Sequence, residues 1–174
     1  MKDSLFKQDS ARYANSGKHM PLFQKLLRKS QDTDCKLLNL FYRVLYFYSA
    51  QKHHIEIFSS TKIGGGLYIG HAYGITVNEN ASIGTNCNLH KGVTIGQENR
   101  GPRAGAPTIG NNVWIGINAS IVGKITVGND VLIAPNSYVN CDIPDHSVVF
   151  GNPCIIKHRD NATQDYINRP YDFG

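Results

Sequence analysis

His71 is the residue whose neighbours best suit it for acid–base chemistry. It stands in Gly70-His71-Ala72-Tyr73-Gly74, where an otherwise regular apolar pattern loses step. An imidazole titrates near pH 6.5, so at neutral pH it can take a proton from a hydroxyl. General-base help of that kind is typically worth about a hundred- to ten-thousandfold in rate. Gly70 and Gly74 leave room for a ligand to approach the backbone. The competing reading is a histidine that merely fills a surface turn. The four cysteines, Cys35, Cys87, Cys141 and Cys154, have no metal-type spacing and form no close pair in the sequence. With no signal-peptide pattern, they suggest a reducing cytoplasm. Eighteen Lys and Arg against thirteen Asp and Glu leave a formal charge of +5. That balance suits an anionic ligand such as a nucleotide-bearing cofactor. Nucleic acid is not implied, because the basic residues are scattered and no nucleic-acid motif is present.

A repeat must position His71. Aliphatic residues fall six apart at Ile109, Ile115, Ile121, Val127, Ile133 and Val139. Four places after each comes a second small or apolar residue: Val113, Ala119, Ile125, Val131, Ser137 and Ile143. Neither the helical period nor strand alternation produces this spacing, so it is a hexapeptide repeat. Each unit is a short strand and a corner, with the leading aliphatic pointing inward. One unit cannot bury that side chain alone, so the units stack into a parallel β-helix. Cys87 takes a small inward slot, where a buried thiol is expected.

The frame begins earlier, at Ile57, Ile63 and Ile69, and then slips. Val77, Ile83, Leu89 and Ile95 resume it after eight residues instead of six. A second slip, fourteen residues from Ile95 to Ile109, holds the polar, turn-rich stretch Gln97 to Pro107 and predicts an excursion loop. Interruptions of a rigid solenoid are places where binding residues gather. The register also sets His90 one coil beyond His71 on the same face. Two imidazoles there could begin a zinc site, but a third is needed, and His53, His54 and His146 have no evident route to it. The repeat is expected to end at Pro144-Asp145-His146, with Val149 to Pro153 turning the chain away.

Residues 1–54 have few glycines and are rich in Leu, Phe, Tyr, Lys and Arg. Pro21 can open a helix carrying Leu22, Phe23, Leu26 and Leu27. A second helix is expected from about Cys35 to Ala50, with Leu37, Leu38, Phe41, Val44, Leu45 and Tyr48 at helical spacings. It would pack on the end of the solenoid or on a neighbouring subunit. Alternatively it lies on a membrane surface, which Lys36, Arg43 and Lys52 beside aromatic residues would allow. No apolar run is long enough to span a bilayer. The plan is a helical segment over 1–54, the β-helix over 55–158, and an extended or partly disordered tail over 159–174 that can wrap a neighbour.

Gly64-Gly65-Gly66-Leu67-Tyr68-Ile69-Gly70-His71-Ala72-Tyr73-Gly74, Leu89-His90-Lys91-Gly92-Val93-Thr94-Ile95-Gly96 and Phe150-Gly151-Asn152-Pro153 resemble the serine acetyltransferase group of hexapeptide acyltransferases. The likeness covers roughly residues 55–158. It implies a mainly β fold, a left-handed parallel β-helix with a short N-terminal α-helical segment. It also implies a homotrimer that holds acetyl-CoA in clefts between subunits and needs no metal. The group's catalytic histidine falls on His71. Its acidic residue fifteen places earlier, usually aspartate, is Glu56 here. A carboxylate there would hold one imidazole nitrogen and stabilise the imidazolium. The pantetheine arm would meet backbone groups at Gln97, Ile117 and Pro135. The nucleotide phosphates would lie near Gly151, Asn152, Lys157 and Arg159. Two remoter readings are a zinc site at His71 and His90 like that of carbonic anhydrases with this fold, and a non-catalytic trimeric scaffold.

The departures bear on the acceptor. The group carries an aspartate immediately before its histidine and an Arg-His pair before the proline that reopens the repeat. This chain has Gly70, Gly105 and Ala106 in those places. An amino acid's carboxylate and ammonium need charged partners, so their loss weakens the case for serine. With the shortened N-terminal segment, it points towards the short acetyltransferases of capsular or exopolysaccharide synthesis. A sugar hydroxyl would be held by Tyr73, Asn78, His90, Lys91 or Arg103. The expectation is an acetyl-CoA-dependent O-acetyltransferase acting on a sugar, in the cytoplasm or peripheral to the inner face of the membrane. Serine O-acetylation for cysteine biosynthesis is the alternative.

Overall fold

The computed structural model describes residues 3–14 and 17–174. Three helices come first: α1 (Leu5–Tyr13), α2 (Leu22–Gln31) and α3 (Lys36–Gln51). A parallel β-solenoid follows, its short strands stacked on three faces. The first face holds Glu56–Ile57, Thr76–Val77, Thr94–Gly96, Ser120–Val122 and Tyr138–Val139. The second holds Lys62–Ile63, Ser82–Ile83, Thr108–Ile109 and Thr126–Val127. Tyr68–Gly70, Asn88–His90, Val113–Ile115, Val131–Ile133 and Ser147–Phe150 make the third, with Ile155–His158 added antiparallel at its end.

Ile57, Val77, Ile95, Ile121 and Val139 lie one above another in register, all buried. Such a column removes apolar area from water at about 25 cal/mol per Å². Both slips therefore sit at corners: two extra residues between Ile69 and Val77, and eight between Ile95 and Ile109, leave the inner column undisturbed. The longer excursion is itself paired, Glu98 and Gly105 exchanging backbone hydrogen bonds at 2.9 Å.

Two expectations about the C-terminal part are corrected. The repeat does not end at Pro144. Ile143 bridges to Val127 and Val149 pairs with Ile133, so Ile143 is a leading inward residue and the last turn is two residues short. The chain then reverses through Gly151-Asn152-Pro153. Nor is the tail loose or extended, because it folds back along its own solenoid. Asp130 accepts from the backbone N–H of Ala162 and of Thr163 and from the Thr163 hydroxyl, while Asn86 exchanges two hydrogen bonds with the Tyr171 backbone. Inward-facing periodicity says nothing about these corner side chains, whose carboxylate and amide groups hold the returning chain.

The first coil needs a partner for its outer edge, since a bare strand edge exposes unpaired N–H and C=O groups. Side chains of α1 and α2 supply it. Arg28 donates to the carbonyls of Ile63 and Gly64, Gln24 to that of Leu67, and Arg12 to that of Gly66. Asp9 accepts from Leu67 N–H and the Tyr13 hydroxyl from Ile69 N–H. Asp9 and Arg28 are fully buried and paired at 2.7 Å. The helical segment thus caps the solenoid with polar groups.

Candidate active site

One edge of the prism, where the third face turns into the first, gathers most of the candidate residues. Its backbone forms a ladder: Gly74 N–H donates to His53, Gly92 to Tyr73, Asn118 to Lys91 and Asn136 to Ile117, at 2.9–3.0 Å. Tyr73, Lys91, Ile117 and Pro135 therefore stand in a column. The donors Gly74, Gly92, Asn118 and Asn136 all have φ between 58° and 72°, a left-handed corner that glycine and asparagine tolerate best. Gly151 closes the column, its carbonyl accepting from Tyr138 N–H at 3.0 Å, with Asn152 exposed beside it. Cys141 and Cys154, far apart in the chain, bring their sulfurs to 3.8 Å near this turn. Buried Cys87, by contrast, has its thiol pushed up to about 12 by loss of solvent.

The two added residues make the ladder bulge at its lower end. His71 sits on the bulge with φ 53°, exposed, and with no hydrogen bond or ion pair to any described residue. Its imidazole is open to a ligand. Tyr73 lies on the same bulge, its ring edge-on to His54 at 5.0 Å.

His90 is the built part of the site. Its Nδ1 lies 2.8 Å from the Ile115 carbonyl, and a carbonyl can only accept, so Nδ1 carries the proton and Nε2 keeps its lone pair. Burial holds its pKa below the usual histidine value, and the nearby His71 works the same way. Neutral His90 therefore offers an acceptor, and Nε2 has no hydrogen-bond partner among the described residues. Gly70 is paired with His90 across the strands. A Cβ at position 70 would stand 2.6 Å from His90 Cδ2 and 2.8 Å from Nε2. The imidazole thus occupies the space that any side chain at position 70 would need, an aspartate included. Trp114 packs on His90 at 4.6 Å, and Tyr166 of the returning tail packs on Trp114 at 5.1 Å. Sequence reasoning missed both. The sole tryptophan, in an outward slot of the repeat, was the available signal.

Other candidates fall elsewhere. Glu56, on the first face, accepts from the Thr76 hydroxyl at 3.4 Å, and no hydrogen bond or ion pair joins it to His71 among the described residues. Asn78 caps a turn, accepting from Asn80 N–H at 3.0 Å, on the edge between the first and second faces. Gln97 and Arg103 belong to the excursion on that second edge. Gln97 donates to Asn99 at 2.7 Å and Arg103 lies 3.7 Å from Glu98. Lys157 stands over the Phe150 ring at 5.8 Å. Arg159 is at the far side of the third face, its N–H bonded to His146 at 2.7 Å. The hairpin runs away from Gly151, so Arg159 does not join that turn. For the zinc reading, no group of three or more His, Cys, Asp or Glu is placed to hold a metal ion among the described residues.

Fold and repeat define a hexapeptide-repeat β-solenoid with an open imidazole at one corner. Residues 106–141 match the family model described as bacterial transferase hexapeptide (six repeats). Serine acetyltransferase from Helicobacter pylori (strain ATCC 700392 / 26695) is 39% identical over 98 residues, 56% of this chain and 57% of the relative. The Synechococcus elongatus serine acetyltransferase is 32% identical over 111 residues, 64% of this chain and 46% of the relative. The chain thus spans about half the length of these relatives. The solved Neisseria gonorrhoeae serine acetyltransferase in complex with serine superposes with TM-score 0.68 at 27% identity, covering 88% of this chain and 67% of that one. A serine acetyltransferase complex with CoA gives TM-score 0.69 at 25% identity, covering 88% and 68%.

Proposed function

We propose that this chain is a CoA-dependent O-acetyltransferase, with acetyl-CoA as donor and His71 as general base. One observation carries the reading: an exposed imidazole, with no hydrogen bond or ion pair to any described residue, stands on the bulge at the foot of a corner column in a solenoid whose relatives are serine acetyltransferases. His71 takes the proton as the acceptor oxygen attacks the thioester carbonyl carbon. Backbone N–H groups near the donor hold the oxyanion. The C–S bond breaks, and the leaving CoA thiolate recovers the proton. The donor's pantetheine arm would run along Ile117 and Pro135 towards Gly151 and Asn152.

Serine is the acceptor that the names of the relatives support, and they favour it over the sugar hydroxyl suggested by the sequence. A neutral hydroxyl remains the second reading for one reason. Gly70 supplies no charge beside His71, Gly105 and Ala106 supply none on the excursion, and His90 adds a neutral acceptor. A homotrimer would reconcile the scattered candidates, since Gln97 and Arg103 lie on a different edge from His71 and a neighbour's excursion could complete the cleft. Thiol release from acetyl-CoA, measured with L-serine, free sugars and nucleotide sugars, separates the readings. Turnover with serine alone selects the first and turnover with sugars alone the second. No release with any hydroxyl acceptor would remove the proposal. Light scattering tests the trimer.

A further inference from the structure

We infer that α3 is a docking face for an anionic lipid bilayer, a role beyond acetyl transfer. Leu37, Leu40, Phe41, Val44, Phe47 and Tyr48 are 46–80% exposed along one side of the helix. Phe58, on the adjoining corner of the first coil, is 56% exposed. Within α3 only Tyr46, Ser49 and Ala50 are buried. A contiguous apolar surface of this kind marks a site of association. No described helix is long and apolar enough to cross a membrane, so α3 would lie in the plane of the headgroups.

Charge decides between the occupants. From Cys35 to Ile55 the sequence holds no Asp or Glu and exposes Lys36, Arg43 and Lys52, while the exposed Asp34 and Glu56 lie just outside this stretch. A second copy laid on this face would set cations against an acid-free helix. Lipid phosphates would neutralise each of them, the Lys and Arg stems lying along the apolar surface with their charges at headgroup level. Position agrees with charge. The helix packs on α2 and bonds to the first coil through the Tyr46 hydroxyl and the Ile57 carbonyl, at the capped end of the solenoid. A groove of about 570 Å³ between α3 and the first coil, lined in part by Leu40, Val44, Phe47, Ile55 and Phe58 with Arg43 and Glu56 also on its wall, leaves room for a lipid chain whose headgroup meets Arg43.

Cosedimentation of the full chain with large vesicles tests the inference, comparing phosphatidylcholine alone with mixtures containing phosphatidylglycerol at rising salt. Binding should require phosphatidylglycerol and weaken as salt is added. Leu37→Glu with Phe41→Glu should lower the bound fraction at least tenfold, with helicity checked by circular dichroism. Each of Lys36→Gln, Arg43→Gln and Lys52→Gln should weaken binding about fivefold. These milder variants and the salt series on the unaltered chain decide the matter even if the double variant fails to fold. Absence of binding, or equal binding to pure phosphatidylcholine, overturns the inference. So does a lipid-free particle whose mass halves on Phe41→Glu, which would assign the face to a second copy.

Discussion

Two sets of polar side chains in this molecule have opposite fates. At the base of the solenoid Asp9, Arg12, Gln24 and Arg28 are buried, and apart from Arg12 Nε, which has no partner among the described residues, their polar groups bond to the first coil's backbone, to one another and, for Arg12, also to Asn88 and the Asn168 carbonyl. At the bulged corner His71 is exposed and has no hydrogen bond or ion pair to any described residue. A polar group that satisfies a strand edge has no capacity left for a substrate, whereas one pushed out by two extra residues keeps all of it. Structure-holding and chemistry-bearing polar residues can therefore be told apart by where their hydrogen bonds go.

The sharpest test is His71→Ala. Acetyl transfer should fall about a hundred- to ten-thousandfold, while the thermal midpoint stays nearly unchanged because no described residue is hydrogen-bonded or ion-paired to that ring. A loss of stability with unchanged turnover would reverse the assignment.

Asp9→Ala should do the opposite. It strands the Arg28 guanidinium in the interior, a change that typically costs about 3–5 kcal/mol. Denaturant unfolding should show that loss, with normal turnover per folded molecule. A shift within about 0.5 kcal/mol would mean that the cap is dispensable.

Smaller effects are expected between Gly70 and His90. Gly70→Ala drives a methyl group into the imidazole, and overpacking of this kind costs about 1–3 kcal/mol. In Gly70→Ala with His90→Ala most of that penalty should disappear, so the double-mutant cycle should be strongly non-additive. Strict additivity would show that the two positions do not compete for space.

Smallest is a pair of pH effects of opposite sign. Burial lowers the pKa of His90 in the folded state. The unfolded chain then binds more protons, and stability should fall as the pH drops below about 6.5, through the lowered folded value. His146 is the reverse. Its hydrogen bond to Asp130 at 2.8 Å raises its pKa, so its contribution is present below about pH 6.5 and fades as pH rises through the raised value. Urea midpoints across pH 5–8 for His90→Gln and His146→Gln should each lose one arm of the profile.

Much of this was legible in the residues themselves. A six-residue period writes the inward column directly, because each leading aliphatic must be buried, and any break in step must be absorbed at a corner. The bulge at His71 and the excursion after Ile95 followed by counting. Spacing alone places Ile143 among the followers, because a short last turn makes a follower and a leader indistinguishable. Gly70 read as a lost charge, when its space had been taken by an imidazole twenty residues away in the chain.

The amino-acid order alone determined the solenoid, the coil on which each inward side chain lies, and the imidazole left at a corner, since all three depend on local period. Only the tertiary structure decided that α1 and α2 cap the first coil, that the tail returns over Asp130 and Asn86, and that Glu56 faces Thr76 instead of His71. Those outcomes depend on hydrogen-bond partners brought together across long stretches of chain, which no periodicity records.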